Sequence, residues 1–209
     1  MRRAAAPGVV ILVVAVLASG CGAPAGTFTP TGPCVADGRA PGLYPALEAK
    51  LPGGLGEEGA RFEDSGRNCS SQALGTLTTH GISDLRFAGA TWTPEGLSSI
   101  VIAVFATTPE EPPLQAAWVE EFYSAGASAS SKTENIETSR PTFDQAGEVF
   151  RLDTLNQLSF QTVIVWPGPG LVHVVIVATS VTVGGLTRDD HDTAVRSAVY
   201  WAAIGRTPA

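Results

Sequence analysis

The chain has 209 residues, 44% of them hydrophobic and 16% charged, and carries a formal net charge of −7 at pH 7. That length and apolar content suffice for one domain with a sizeable core. An acidic chain without a basic cluster is poorly suited to nucleic acid or to an anionic lipid surface, so neither is an expected partner.

The chain opens with a charged stretch, Arg2-Arg3, followed by an unbroken apolar run, Val9 to Leu17, and then by Ala18-Ser19-Gly20-Cys21. A basic n-region, a short apolar h-region and small residues at a cleavage point form the pattern of a secretory signal. A bilayer-spanning helix needs roughly 20 apolar residues, about twice this run, so no permanent span is expected here. With Cys21 directly after Ser19-Gly20, the leader resembles a bacterial lipoprotein signal, although Ala18 stands where the usual lipobox carries Leu, Val or Ile. That resemblance implies removal of residues 1–20 and attachment of diacylglycerol, with further palmitate-type acylation, at Cys21. Two or three acyl chains suffice for stable anchoring at the extracytoplasmic face of the cell membrane. Residues 21–33 are rich in Pro, Gly and Thr and read as a flexible tether. The single α+β domain is expected over 34–209. Loss of the leader takes the net charge to about −9, since the leader holds two of the basic residues.

Cys34 and Cys69 are the remaining cysteines. In an oxidising compartment they are expected to pair and to hold the Gly-rich segment between them against the body of the domain. A metal site would need further ligands, and the histidines lie far away in sequence, so no metal and no cofactor are expected.

Leu43, Leu47 and Leu51 share one face of a short helix over 42–51, stopped by Pro52-Gly53-Gly54. The stretch 53–81 is weakly patterned. Strands follow at 84–92 and 98–105, joined by Thr93-Pro94-Glu95-Gly96 as a hairpin. Leu114, Ala117, Trp118, Phe122 and Ala125 keep helical spacing, and Gly126 is the expected stop. A short strand is expected at 134–138, then three antiparallel strands at 148–154, 159–166 and 171–183, with short connections between them. A final helix starts near Thr187 or Asp189, turns Val195, Ala198, Val199 and Ala202 inward, and ends at Gly205.

The order of elements predicts an α+β fold, an antiparallel β-sheet packed by helices. Hairpin, helix, meander and C-terminal helix over about 84–205 resemble the α/β/α sandwich of the Mog1/PsbP-like fold, and the lipobox before such a domain is similar to actinobacterial lipoproteins of the LpqN type. Members of that fold mostly bind proteins or small ligands, so the resemblance implies a binding role.

No nucleophile elbow, phosphate loop, zinc-protease motif or Cys-x-x-Cys is present. Arg151 and Asp153 lie two apart on one strand face and can pair, with Asn156 and Gln157 shaping the next turn. His173, in the apolar third strand, is read as facing solvent or a sheet partner. Arg151, Asp153 and His173 are therefore the candidate ligand or polar site, and no catalytic residue is assigned. His80 reads as a loop residue. His191, within Arg188-Asp189-Asp190-His191-Asp192, reads as part of a polar helix start, since consecutive positions diverge by about 100° and cannot converge on a cation. The four tryptophans are read as core, and the Asn68-Cys69-Ser70 sequon as chance. The expected function is a membrane-anchored, non-catalytic binding module for an envelope protein or a small apolar ligand. The alternatives are an envelope enzyme whose site assembles only in three dimensions, and a passive surface scaffold or antigen.

Overall fold

The computed structural model describes residues 28–94, 99–156, 159–180 and 186–205. The expected signal, Cys21, most of the tether, Gln157 and the far end of the third meander strand lie outside the described residues.

The elements in chain order are β1 (Gly38–Ala40), α1 (Pro45–Glu48), β2 (Gly54–Leu55), β3 (Glu58–Gly59), β4 (Phe62–Asn68), α2 (Ser71–Leu74), a 3-10 helix (Gly75–His80), β5 (Leu85–Trp92) and β6 (Ser99–Thr107). They continue with α3 (Ala116–Ala129), β7 (Thr133–Ser139), β8 (Thr142–Phe143), β9 (Gly147–Glu148), β10 (Phe150–Asn156), β11 (Ser159–Gly168), β12 (Leu171–Ser180) and α4 (Arg188–Ile204). Eight of the strands form one sheet in the order β1-β4-β5-β6-β12-β11-β10-β7, every neighbour antiparallel. From β6 the chain crosses through α3 to the far edge, then returns by the meander β7-β10-β11-β12 until β12 closes on β6. The α+β class with a large antiparallel sheet follows directly.

Both faces of the sheet are covered, which is why β12 reads Leu-Val-His-Val-Val-Ile-Val-Ala without alternation. Val175 and Val177 face α4, where Trp92, Ile102, Ile164, Val195 and Val199 complete a core. Val172, Val174 and Ile176 face the other way, toward Val119 on α3 and its neighbours Tyr123 and Ala127. A third cluster, Leu74, Leu77, Ile82 and Leu85, takes Trp118 and Phe122 from the same helix.

Three local expectations need correction. The helix predicted at 42–51 is only the four residues of α1, because Pro45 fixes its start and a turn of backbone bonds ends it at Leu51. The weakly patterned 53–81 contains a full seven-residue strand, β4. Its sequence, Phe-Glu-Asp-Ser-Gly-Arg-Asn, lacks apolar alternation, and it is held as a strand by ladders on both sides, to β1 and β5. Gly66 permits that closeness, since a Cβ there would stand 2.2 Å from the Gly38 carbonyl oxygen. Finally, α3 runs through Gly126 to Ala129, because that glycine keeps helical backbone and Ser130 ends the helix in an extended conformation.

Cys34 and Cys69 stand at disulfide distance, with Cα atoms 5.9 Å apart, in line with the expected pairing. The bridge ties the entry to β1 to the end of β4. Beside it the Asp37 carboxylate accepts from the Ser70 hydroxyl and from the amides of Ser70 and Cys69 at 2.9 and 2.6 Å, and these bonds hold its carboxyl below the usual range although burial pushes the other way.

Candidate functional site: a polar cluster beneath the last helix

On β10, β11 and β12, alternate residues point toward α4. Arg151 and Asp153 on β10 do so together, and Thr162 on β11 lies directly across from Asp153. Thr179 on β12 points the same way, one pair further along, opposite Phe160. The first turns of α4 cross above these residues. Thr187 and Asp190 form a reciprocal capping box that fixes where the helix begins, and this sets the phase of everything after it. With that phase, His191, Val195, Ala198, Val199 and Ala202 form one buried stripe, and Arg188 and Asp192 flank it one turn apart.

His191 is 0% exposed, as are Thr162 and Thr179. Its Nε2 lies 2.7 Å from the Thr162 hydroxyl and its Nδ1 2.7 Å from the Thr179 hydroxyl. The Thr162 hydroxyl is also 2.5 Å from an Asp153 carboxylate oxygen. A hydroxyl has one proton and the carboxylate only accepts, so Thr162 donates to Asp153 and must accept from Nε2–H. Nδ1 is then the bare nitrogen and accepts from Thr179. One neutral tautomer satisfies the whole chain, running from Thr179 through His191 and Thr162 to Asp153. Burial pushes the His191 pKa down to about 4, assisted by the charge on Arg188 and opposed by Asp192 and Asp153.

Around the buried chain lies a ring of two cations and two anions. Arg151 donates through Nε and Nη2 to Asp153 at 2.7 and 3.0 Å and through Nη2 to Asp192 at 2.5 Å. Arg188 reaches Asp153 at 3.1 Å and Asp192 at 3.5 Å. Burial opposes the charge on Arg151, yet the bonds to Asp153 and Asp192 hold its pKa above the usual value. Burial likewise opposes the charge on Asp192, and the bonds and charges of the two arginines hold its carboxyl below the usual range.

The pairing of Arg151 with Asp153 is as the sequence suggests, and Asn156 shapes its turn by accepting from the Ser159 amide and hydroxyl at 2.9 Å. His173 is not brought to them. It lies six residues before Thr179 on β12, about 20 Å along the strand. There it stacks on Trp166 with ring centroids 4.9 Å apart, and burial lowers its pKa to about 4. Of the two readings of His173, solvent or a sheet partner, the second holds, because Trp166 is its cross-strand neighbour. The reading of His191 as part of a polar helix start is corrected: Asp190 caps, Asp192 bridges, and His191 points inward. A detectable signal was present, since stepping back four residues from Val195 gives position 191. Thr162, Thr179 and Arg188 carried no comparable signal. His80 stacks on Trp118 with centroids 4.8 Å apart and meets Glu121 at 2.8 Å, at the end of the 3-10 helix.

Chemically the cluster is a closed circuit. The hydroxyl between imidazole and carboxylate is fully buried, and each ring nitrogen of His191 is taken, so no outside atom reaches them in this conformation. Among the described residues no group of three His, Cys, Asp or Glu side chains is placed to hold a metal ion, and no helix is long and apolar enough to cross a membrane. No protein family, curated protein or solved structure matches the chain.

Proposed function

We propose that the chain is a membrane-anchored extracytoplasmic lipoprotein whose domain, of the Mog1/PsbP-like kind, serves as a non-catalytic binding module for an envelope protein. The observation that carries this reading is how completely the interior is committed. Between the sheet and α4, Trp92, Ile102, Ile164, Val175 and Val199 are at most 1% exposed. A polar cluster in that layer answers its own charges and hydrogen bonds. Such packing favours recognition by the outer surface over a small apolar ligand held inside. On that surface Phe62 stands 73% exposed at the start of β4. The anchored half of the reading is supported by the leader and by Cys21, followed by a Pro- and Gly-rich stretch.

The experiment has two readouts on the full chain in a related host. Metabolic labelling with an alkyne fatty acid should mark the wild type and not Cys21→Ser, which should leave the membrane fraction. A photoreactive residue at position 62 should then crosslink the anchored protein to a discrete envelope protein. Labelling that survives Cys21→Ser refutes the anchor. Crosslinks that are absent at position 62 and at Tyr200, the exposed aromatic of α4, refute the protein-binding role.

A further inference from the structure

Residues 28–33, expected as the last part of the tether, are docked on the domain. Arg67, 1% exposed, grips both carboxylate oxygens of Asp84 with Nε and Nη2. Its Nη1 donates to the carbonyls of Gly32 at 3.0 Å and Thr29 at 3.3 Å, and the Tyr44 hydroxyl donates to the Pro30 carbonyl at 2.8 Å. Lifting the segment would strand a buried guanidinium N–H, so the docking belongs to the fold. Directly after Pro33, the Cys34–Cys69 bridge fastens the same stretch to the end of β4.

This docking shortens the lead from Cys21. Only residues 22–27 separate Cys21 from Phe28, so even fully extended the lead reaches about 25 Å. A lead that ran free to Cys34 would reach about 45 Å. A domain of this size is roughly 40 Å across, so the short lead prevents the pole opposite Phe28 from turning to a bilayer, and the long one would not.

The face beside the docked segment suits that position. Residues 28–36 and 68–83 contain no Asp, Glu, Lys or Arg, in a chain of net charge −7. They meet at the bridge, and Thr31, Pro33, Val35, Ser71, Gln72 and Thr78 are exposed on them. The bordering acids are engaged: Asp37 accepts from Cys69 and Ser70, Glu111 accepts from Ser83, and Glu121 meets His80. The opposite end of the sheet is acidic. Phe62 stands about 20 Å from Asn68 along β4. The pairs Phe62–Thr91, Trp92–Ile100 and Ser99–Ala178 carry its end of the sheet across to the start of α4, with Asp189, Asp190 and Asp192. An anionic headgroup layer would meet like charge there and none at the neutral end.

We infer that the partner of this neutral end is the bilayer surface: the short lead holds the bridge, α2 and the 3-10 helix against the headgroups, and the Phe62 end faces away. The inference rests on the lipid anchor at Cys21 proposed above. It needs no basic patch, because the lead supplies the nearness, and it leaves Phe62 open to a protein partner.

The test uses the full chain, processed in a related host, on vesicles of phosphatidylcholine and phosphatidylglycerol that carry nitroxide headgroups. A fluorescent amino acid is placed at Gln72 in one sample and at Phe62 in another. Quenching at 72 should exceed quenching at 62 by about threefold or more, given the separation along β4. Inserting about twelve Gly and Ser residues between Thr27 and Phe28 should bring the two values together. A wild-type chain that does not float with the vesicles overturns the anchor and this orientation together. A floating chain quenched equally at both positions, or more at 62, overturns the orientation alone, as does a contrast that the insertion leaves unchanged.

Discussion

Acid should loosen this domain well before its carboxylates titrate, and the reason is His191. In the unfolded chain an imidazole takes its proton at the ordinary value of 6.5, while in the folded protein burial delays it to about 4. Between those two values the unfolded chain binds a proton that the folded one refuses. The free energy of unfolding therefore falls as the pH drops through this window, and it flattens again below about 4. At 1.36 kcal/mol per pH unit the full descent is about 3 kcal/mol, and about 2 kcal/mol is already lost at pH 5. The groups that face the ring are Arg188 and Asp192 from α4 and Arg151 and Asp153 from β10, two of each sign, so protonation makes the cluster net positive. His173, whose pKa burial also lowers to about 4, adds a comparable loss in the same window. Bonds that hold Asp190 and Asp192 below the ordinary 3.8 place their contribution lower still, so the two windows separate. Urea unfolding followed by tryptophan fluorescence at pH 7.5, 6.5, 5.5 and 4.5 should show stability falling steadily below 6.5. His191→Gln keeps a donor and an acceptor without the titration; its stability at neutral pH should be lower and its slope roughly half that of the wild type. A wild-type stability independent of pH across the window would refute the reasoning, as would an unchanged slope in the variant.

Thr162→Val preserves shape but strands both the Nε2–H of His191 and a lone pair of Asp153, so a loss of about 2 kcal/mol in urea unfolding is expected. The pH slope assigned to His191 should change with it, because the two groups are one circuit. Removing the bridge with Cys34→Ser and Cys69→Ser frees a loop with a sequence separation of 35 residues, which costs roughly 3–4 kcal/mol by chain entropy; equal stability with and without reductant would argue that the cysteines do not pair. Gly66→Ala should push β1 off β4, since its new methyl would meet the Gly38 carbonyl at 2.2 Å. Hydrogen exchange should then rise at residues 38–40, and unchanged protection there would contradict the close approach.

The legible parts of this fold are those where side-chain period and burial agree. β5, β6, β11 and β12 carry apolar runs because helices cover both faces, and the inner stripe of α4 was visible from Val195 onward. What escaped reading is polar. β4 is a strand through its neighbours' backbones, not its own side chains, and its buried members are Ser65, Gly66, Arg67 and Asn68. Periodicity scores such residues as loop because it assumes that burial and apolarity coincide.

The same assumption hid most of the candidate site. Arg151 and Asp153 were found because a strand period of two relates them within one segment. Their partners Thr162, Arg188 and Asp192 are 9, 35 and 39 residues beyond Asp153, and only the register of the sheet and the capping box of α4 bring them together. His191 shows the physical principle most directly. A histidine next to three aspartates reads as solvated, yet the cap turns Asp190 outward, Asp192 answers two arginines, and the remaining direction at position 191 points into the core. Two threonines make that direction tolerable, one supplying a proton and the other accepting one, and without both the imidazole would be an unsatisfied buried group. The placement of α4 therefore rests on a polar circuit at its first turns and an apolar stripe beyond them. Acid should accordingly loosen the helix from its N-terminal end, with exchange at Asp192 and Thr193 rising before exchange at Val199.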